Sequence, residues 1–329
     1  MKQILLLLGV SLGMYSLALA QNTENWKQAW MDARNAGDQV AALKWLKVGA
    51  EADDAVAQCG LAIAYLHGEG TKKDIQKVEF WAAKSAKSGY AYAQSLLGDL
   101  NYNVNHNYKE AIYWWEKAAN QNDGHSIQQL ANLYFNGDGV PKDEKEAFMW
   151  VERGAENGDV DAMVTMADAL IYGDRGLEID YAKALQWYEK AIATGNLSAN
   201  YLWNVGHMYQ TGMGTDINLK KAFDLFSKSA ELKYGQAYND LAYFYARGEI
   251  VPKNFDIALE MVDEAINLEP SSSRTCNFYD TKGEILLMQN KIDEAIKIWN
   301  KMNKEFPDQI KEISDSPFIK SIKVIANEK

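Results

Sequence analysis

The chain has 329 residues, of which 47% are hydrophobic and 24% charged, with a formal charge of −11. This is the make-up of a folding chain, and it excludes wholesale disorder. The acidic balance excludes a broad phosphate-binding surface, so no nucleic-acid partner is expected. Five prolines and two cysteines exclude Pro-rich, disulfide-framework and four-cysteine zinc architectures.

Residues 1–20 read as an address. Met1-Lys2 is a short basic start, Ile4 to Val10 an apolar run, and Ala18-Leu19-Ala20 puts small residues at −3 and −1 before Gln21. That is the layout of a secretory signal peptide cleaved after Ala20. The alternative, an N-terminal membrane anchor, is weakened by the short apolar run. No Cys follows that run, so there is no lipid attachment point. Cleavage removes Lys2 and no acid, leaving a mature charge of −12. No later stretch reaches the ~18 continuous apolar residues of a membrane span. The expectation is a soluble periplasmic protein of a bacterium.

The rest of the chain repeats one pattern. Trp45, Trp81, Trp114, Trp150 and Trp187 recur at intervals of 36, 33, 36 and 37 residues, and Leu225, Met261 and Ile298 continue the series. A small residue precedes each anchor by three: Ala42, Val78, Ala111, Ala147, Ala184, Ala222, Ala258 and Ala295. A second small position lies upstream at Ala62, Gly98, Ala131, Ala167, Gly206, Ala242 and Gly283. Gly68-x-Gly70, Gly137-x-Gly139 and Gly212-x-Gly214 fall between the two. Two apolar stripes of helical period around a Gly-rich turn predict a helix–turn–helix unit. The small residues let helices approach, and the Trp and Tyr fill the space between units as core. One unit cannot bury its apolar face alone, so the units must stack.

The run from Leu130 to Asp143, followed by Lys145-Glu146-Ala147-Phe148-Met149-Trp150, resembles the Sel-like repeat, a longer relative of the tetratricopeptide repeat. The resemblance covers roughly residues 25–308. It implies an all-α, right-handed α-solenoid of about eight stacked units. Residues 21–53 are expected to form an N-terminal capping helix pair, and 54–273 the Sel-like repeats. Residues 274–308 resemble a tetratricopeptide unit, since Gly283 to Ala295 is 12 residues against 16 for Ala131 to Ala147. Residues 309–329 read as a capping helix broken near Pro317. The second clear repeat departs from the pattern, with Asn101 to Asn107 in place of the Gly-x-Gly turn.

Signals for chemistry are weak. His67, His106, His125 and His207 show no His-Glu-x-x-His spacing. The Asp-x-Asp-x-Asp-Gly ladder of a calcium loop and the Gly-x-Ser-x-Gly elbow are absent. Gly68 to Lys73 lacks phosphate-loop spacing and follows a helix. No cofactor, metal or catalytic residue is expected, although groups brought together by the fold are beyond a sequence reading. Cys59 and Cys276 read as packed small hydrophobes. Cysteine-rich secreted members of the resembled family have been associated with β-lactam binding or hydrolysis, but their regular cysteines are missing here.

The related tetratricopeptide fold lines its concave groove with first helices. Carried over, its groove positions are Tyr92, Ser95 and Asp99, then His125, Gln128 and Asn132, then Asp161, Val164 and Asp168. Asn200, Trp203 and His207 follow, then Gln236, Asn239 and Tyr243. This set is rich in amides and aromatics and holds no Lys or Arg, which suits a neutral or basic peptide; the alternative is a merely solvated or inter-helix surface. Three functions follow. The first is a non-catalytic periplasmic scaffold binding a peptide or protein segment, with no homo-oligomer expected. The second is an immunity-type inhibitor of a secreted antibacterial effector such as a lipase, as the resemblance allows. The third is an enzyme of cell-wall or β-lactam chemistry.

Overall fold

The computed structural model describes residues 25–173, 176–195 and 198–328. The expected signal peptide and its cleavage site lie outside the described residues. The chain divides into two compact units, Met1–Asp159 and Val160–Lys329. All regular elements among the described residues are helices. The first unit holds α1 (Trp26–Asn35), α2 (Gln39–Glu51), α3 (Ala55–His67), α4 (Ile75–Lys87), α5 (Ala91–Asn103), α6 (Tyr108–Ala119), α7 (Gly124–Asn136) and α8 (Glu144–Glu156). The second holds α9 (Val160–Tyr172), α10 (Tyr181–Ala193), α11 (Ala199–Thr211), α12 (Leu219–Glu231), α13 (Gly235–Arg247), α14 (Phe255–Leu268), α15 (Thr275–Met288), α16 (Ile292–Glu305), α17 (Gln309–Glu312) and α18 (Pro317–Glu328). Within each unit every helix from α1 to α8 and from α9 to α16 packs against the next in the chain. The expected all-α stack of helix–turn–helix repeats is what forms.

The repeat residues explain the packing. Ala111, Ala147, Ala184, Ala222, Ala258 and Ala295 are fully buried on the second helices. On the first helices, the small position receives an aromatic ring. A Cβ on Gly98 would lie 2.2 Å from the Trp115 ring, on Gly206 2.6 Å from Phe226, and on Gly283 2.3 Å from Phe318. No larger residue fits there without moving the ring.

The Gly-x-Gly turns split their labour. Gly68, Gly137 and Gly212 end α3, α7 and α11 in the left-handed region that an L side chain resists. The second glycine of each pair meets the preceding repeat: a Cβ on Gly70 would sit 2.2 Å from the Gln39 carbonyl oxygen, and on Gly214 2.4 Å from the Tyr181 backbone. The departing repeat has neither feature, and His106 takes the left-handed conformation there (φ 52°). Most second helices then start on a side-chain cap. Asp38, Asp74, Asn107, Asp143, Asp180, Asn218 and Asn254 each accept from a first-turn backbone N–H.

Aromatics are mostly core, as expected. Trp26, Trp115 and Trp187 are buried, while Trp45, Trp81 and Trp114 are partly buried against the first unit's core. Both cysteines are buried and free, and burial pushes the Cys59 thiol up to about 12 and Cys276 up to about 11. In the tail, α17 ends at Glu312 and Pro317 starts α18, a position where its missing N–H costs nothing. Ser316 caps α18, its Oγ accepting from Ile319 N at 3.0 Å. Phe318, Ile319 and Ile322 are fully buried and belong to one core cluster with α15 and α16 residues.

Candidate functional site

The sequence-derived groove positions fall into two groups, one in each unit. In the first unit, Gly98 lets the Trp115 ring lie against α5, which brings the indole N–H to Asp99. Trp115 Nε1 donates to Asp99 Oδ1 at 3.1 Å, and His125 Nε2 lies 3.0 Å from both Asp99 oxygens. The Asp99 carboxylate raises the His125 pKa above the ordinary histidine value, against the opposing effect of burial. Tyr92, Gln128 and Asn132 are exposed. Ser95 is a correction to the groove assignment: it is buried at 5% exposure and accepts from Ser126 Oγ at 3.0 Å, so it faces the next first helix.

In the second unit, Asp168 accepts from the buried Tyr188 hydroxyl, to which Asn204 Nδ2 donates at 2.7 Å. Burial and the Asp168 carboxylate hold the Tyr188 hydroxyl far above its usual range. Asp168 therefore ties α9 to α10. Val164 is buried as well.

Trp203, His207 and Asn239 lie on neighbouring first helices, α11 and α13. Trp203 Nε1 donates to Asp240 Oδ2 at 2.6 Å. The Trp203 ring stacks on His207 (centroids 5.6 Å apart, 28° between planes) and meets the Tyr234 ring edge-on at 5.9 Å. The Tyr234 hydroxyl sits 2.6 Å from Gln236 Oε1 and 3.2 Å from Asn200 Oδ1. Burial lowers the His207 pKa, so the imidazole is neutral at pH 7. Burial also pushes the Asp240 carboxyl up to about 6, with the Trp203 bond opposing. Asn239 Oδ1 is buried with no hydrogen-bond partner.

Tyr243 lies deeper than its groove assignment implied. Its hydroxyl donates to Glu284 Oε2 at 3.0 Å and accepts from Thr281 Oγ1 at 3.3 Å, and burial holds it well above the usual phenol range. The Arg247 guanidinium covers its ring at 5.1 Å. Next to it, Asp280 accepts from Ser316 Oγ at 2.6 Å, and burial pushes its carboxyl up to about 6.

Asp240 and Tyr234 were missed in the sequence reading. The signal was present: Trp203 and Asp240 stand 37 residues apart, one repeat length, so they occupy nearly matching places on successive first helices. The surface around them offers aromatic faces, amides and a carboxylate. Among the described residues no group of three or more His, Cys, Asp or Glu is placed to hold a metal ion, and no helix is long and apolar enough to cross a membrane.

A family model described as "Sel1 repeat" matches residues 35–54, 55–90, 90–123, 125–159, 160–196, 199–234 and 235–269. The first match enters the segment expected to be a cap. The Sel1-repeat-containing protein YjcO of Escherichia coli K12 is 30% identical over 183 residues, which are 54% of this chain and 77% of that protein. An uncharacterised protein of Neisseria meningitidis serogroup B is 28% identical over 181 residues, 53% of this chain but only 38% of the relative's length. Among solved structures, a protective antigen of uropathogenic Escherichia coli strains, described as displaying an SLR fold, aligns with a TM-score of 0.60 at 23% identity. The alignment covers 83% of this chain and 64% of that one.

Proposed function

This chain belongs to the Sel1-repeat family, and we propose that it is a non-catalytic, periplasmic binding module for a neutral or basic peptide or protein segment. Sel1 repeats generally mediate protein–protein interaction. The docking surface is the face of α11 and α13 around Trp203, Asn200, His207 and Asn239. The Trp203 indole, held between His207, Tyr234 and Asp240, is the observation that carries this reading. A half-buried aromatic fixed on three sides loses little entropy on binding, which is what an interface anchor requires. The surrounding amides pair with an extended backbone. The Asp240 carboxylate, with no cation paired to it among the described residues, favours a partner bearing Lys or Arg. Tyr92, Gln128 and Asn132 of the first unit are proposed as a separate, weaker contact patch.

Export rests on residues 1–20, and the N-terminal residue of the protein recovered from periplasm tests it: Gln21 is expected, and Met1 would contradict it. The binding claim is tested by capturing partners from periplasm and from competitor secretions with residues 21–329, beside the Trp203→Ala/Asn239→Ala variant. A stoichiometric protein lost in the folded variant supports the face. A resident envelope protein would make the chain a scaffold, and a rival's toxin an immunity-type inhibitor. A partner captured equally by the variant would refute the site.

A further inference from the structure

The first unit contains a cavity of about 490 Å³ between α1, α2 and α3, bordered by the start of α5. That volume falls in the range of about 300–1,000 Å³ typical of small-ligand sites. Trp30, Leu46, Ile63 and Tyr92 supply its apolar body. The Trp30 ring carries the Arg34 guanidinium at 5.5 Å. Tyr92 is 56% exposed although it borders an apolar cavity.

Two charged side chains, Arg34 and Glu69, both exposed, also line the cavity. Arg34 and Glu69 form no ion pair with each other or with any other described residue. The nearby Lys27 is already paired to Asp54 at 3.3 Å. A cavity with an apolar body and a cation and an anion on its lining is complementary to a ligand carrying a carboxylate, an ammonium and apolar side chains between them. Arg34 and Glu69 are not within ion-pair distance of each other, so a ligand that meets both carries its two charges apart, as a short peptide does.

We propose that this cavity is a binding site for short apolar peptides with free termini. The carboxylate pairs with the Arg34 fork, the ammonium with Glu69, and an aromatic or branched side chain packs on Trp30 and Tyr92. The site is distinct from the α11–α13 face and stands or falls independently of it.

Calorimetric titration of residues 21–329 with Leu-Phe-Leu tests the proposal. Saturable 1:1 binding is expected, weakened about tenfold by C-terminal amidation and about tenfold by N-acetylation. Arg34→Gln should weaken the free peptide but not the amidated one, and Glu69→Gln should behave likewise towards the acetylated peptide. Val56 borders the cavity and is 43% exposed. Val56→Trp therefore obstructs the mouth without loading the core, and should abolish binding at unchanged helicity. Tyr92→Ala, on an exposed side chain, is the second variant should Val56→Trp unfold, and about a tenfold loss is expected. No saturable binding at millimolar peptide, equal affinity in the obstructed variants, or equal affinity for an aryl carboxylate lacking the amine would overturn the proposal.

Discussion

The indole N–H of Trp203 points at the carboxylate of Asp240 from 2.6 Å away, joining two successive first helices through their side chains. Neither residue is fully exposed, and among the described residues no cation pairs with Asp240. The bond thus compensates a carboxylate that burial would otherwise drive towards protonation.

Asp240 and Asp280 both have folded pKa values of about 6, above the ordinary 3.8. A carboxyl raised in the folded state binds its proton more tightly when folded, so it stabilises at low pH. That stability is present below about 3.8 and is lost as pH rises through about 6. Wild type minus Asp240→Asn, in chemical denaturation across pH 4–7, should slope downward with rising pH. The slope approaches about 1.4 kcal/mol per pH unit at its steepest. A flat difference curve would contradict the assignment.

The glycines under aromatic rings predict overpacking. Gly206→Leu places a side chain where Phe226 lies 2.6 Å from the first added carbon. A loss of about 1–3 kcal/mol or more is expected, read as a lowered Tm. An unchanged Tm would mean that the repeat register is wrong.

The Asp99–His125 pair predicts a titration. Asp99→Asn should bring the His125 pKa down towards the ordinary histidine value, followed by NMR of the imidazole protons. The folded-state pKa is raised, so the stability that the pair confers is present below the unfolded pKa and fades as pH rises through the folded one. An unshifted His125 titration in the variant would show that the contact is not formed in solution.

The C-terminal helix predicts a cap. Phe318 is fully buried against Gly283, so Phe318→Ala should cost about 3–5 kcal/mol and expose the apolar side of α15 and α16. Increased hydrogen exchange confined to α15, α16 and α18 would be the matching signature; full protection there would contradict the capping role.

Fold was far more legible than site because helical period, small-residue positions and Gly-x-Gly turns are local and repeat along the chain. Gly98, Gly206 and Gly283 stand at the repeating small-residue position, which marks a close approach without naming the ring that fills it. What local pattern could not supply was which polar residue points across to the neighbouring helix. Ser95 and Asp99 hold matching places on one face of α5, yet Ser95 turns inward to Ser126 while Asp99 collects Trp115 and His125. Asp240 was passed over because the borrowed groove positions skip it, although the one-repeat offset from Trp203 would have found it. The apolar cavity was invisible for the same reason, since Arg34, Glu69 and Tyr92 come from three separate helix ends.

The central claim is that the Trp203 face holds a protein segment. Its most direct test is the Kd of a captured, purified partner for the wild-type chain and for a Trp203→Ala chain of unchanged helicity. The anchor role predicts a loss of about 2 kcal/mol or more, a weakening of about 30-fold. An unchanged Kd would contradict it and remove the α11–α13 face as the binding surface.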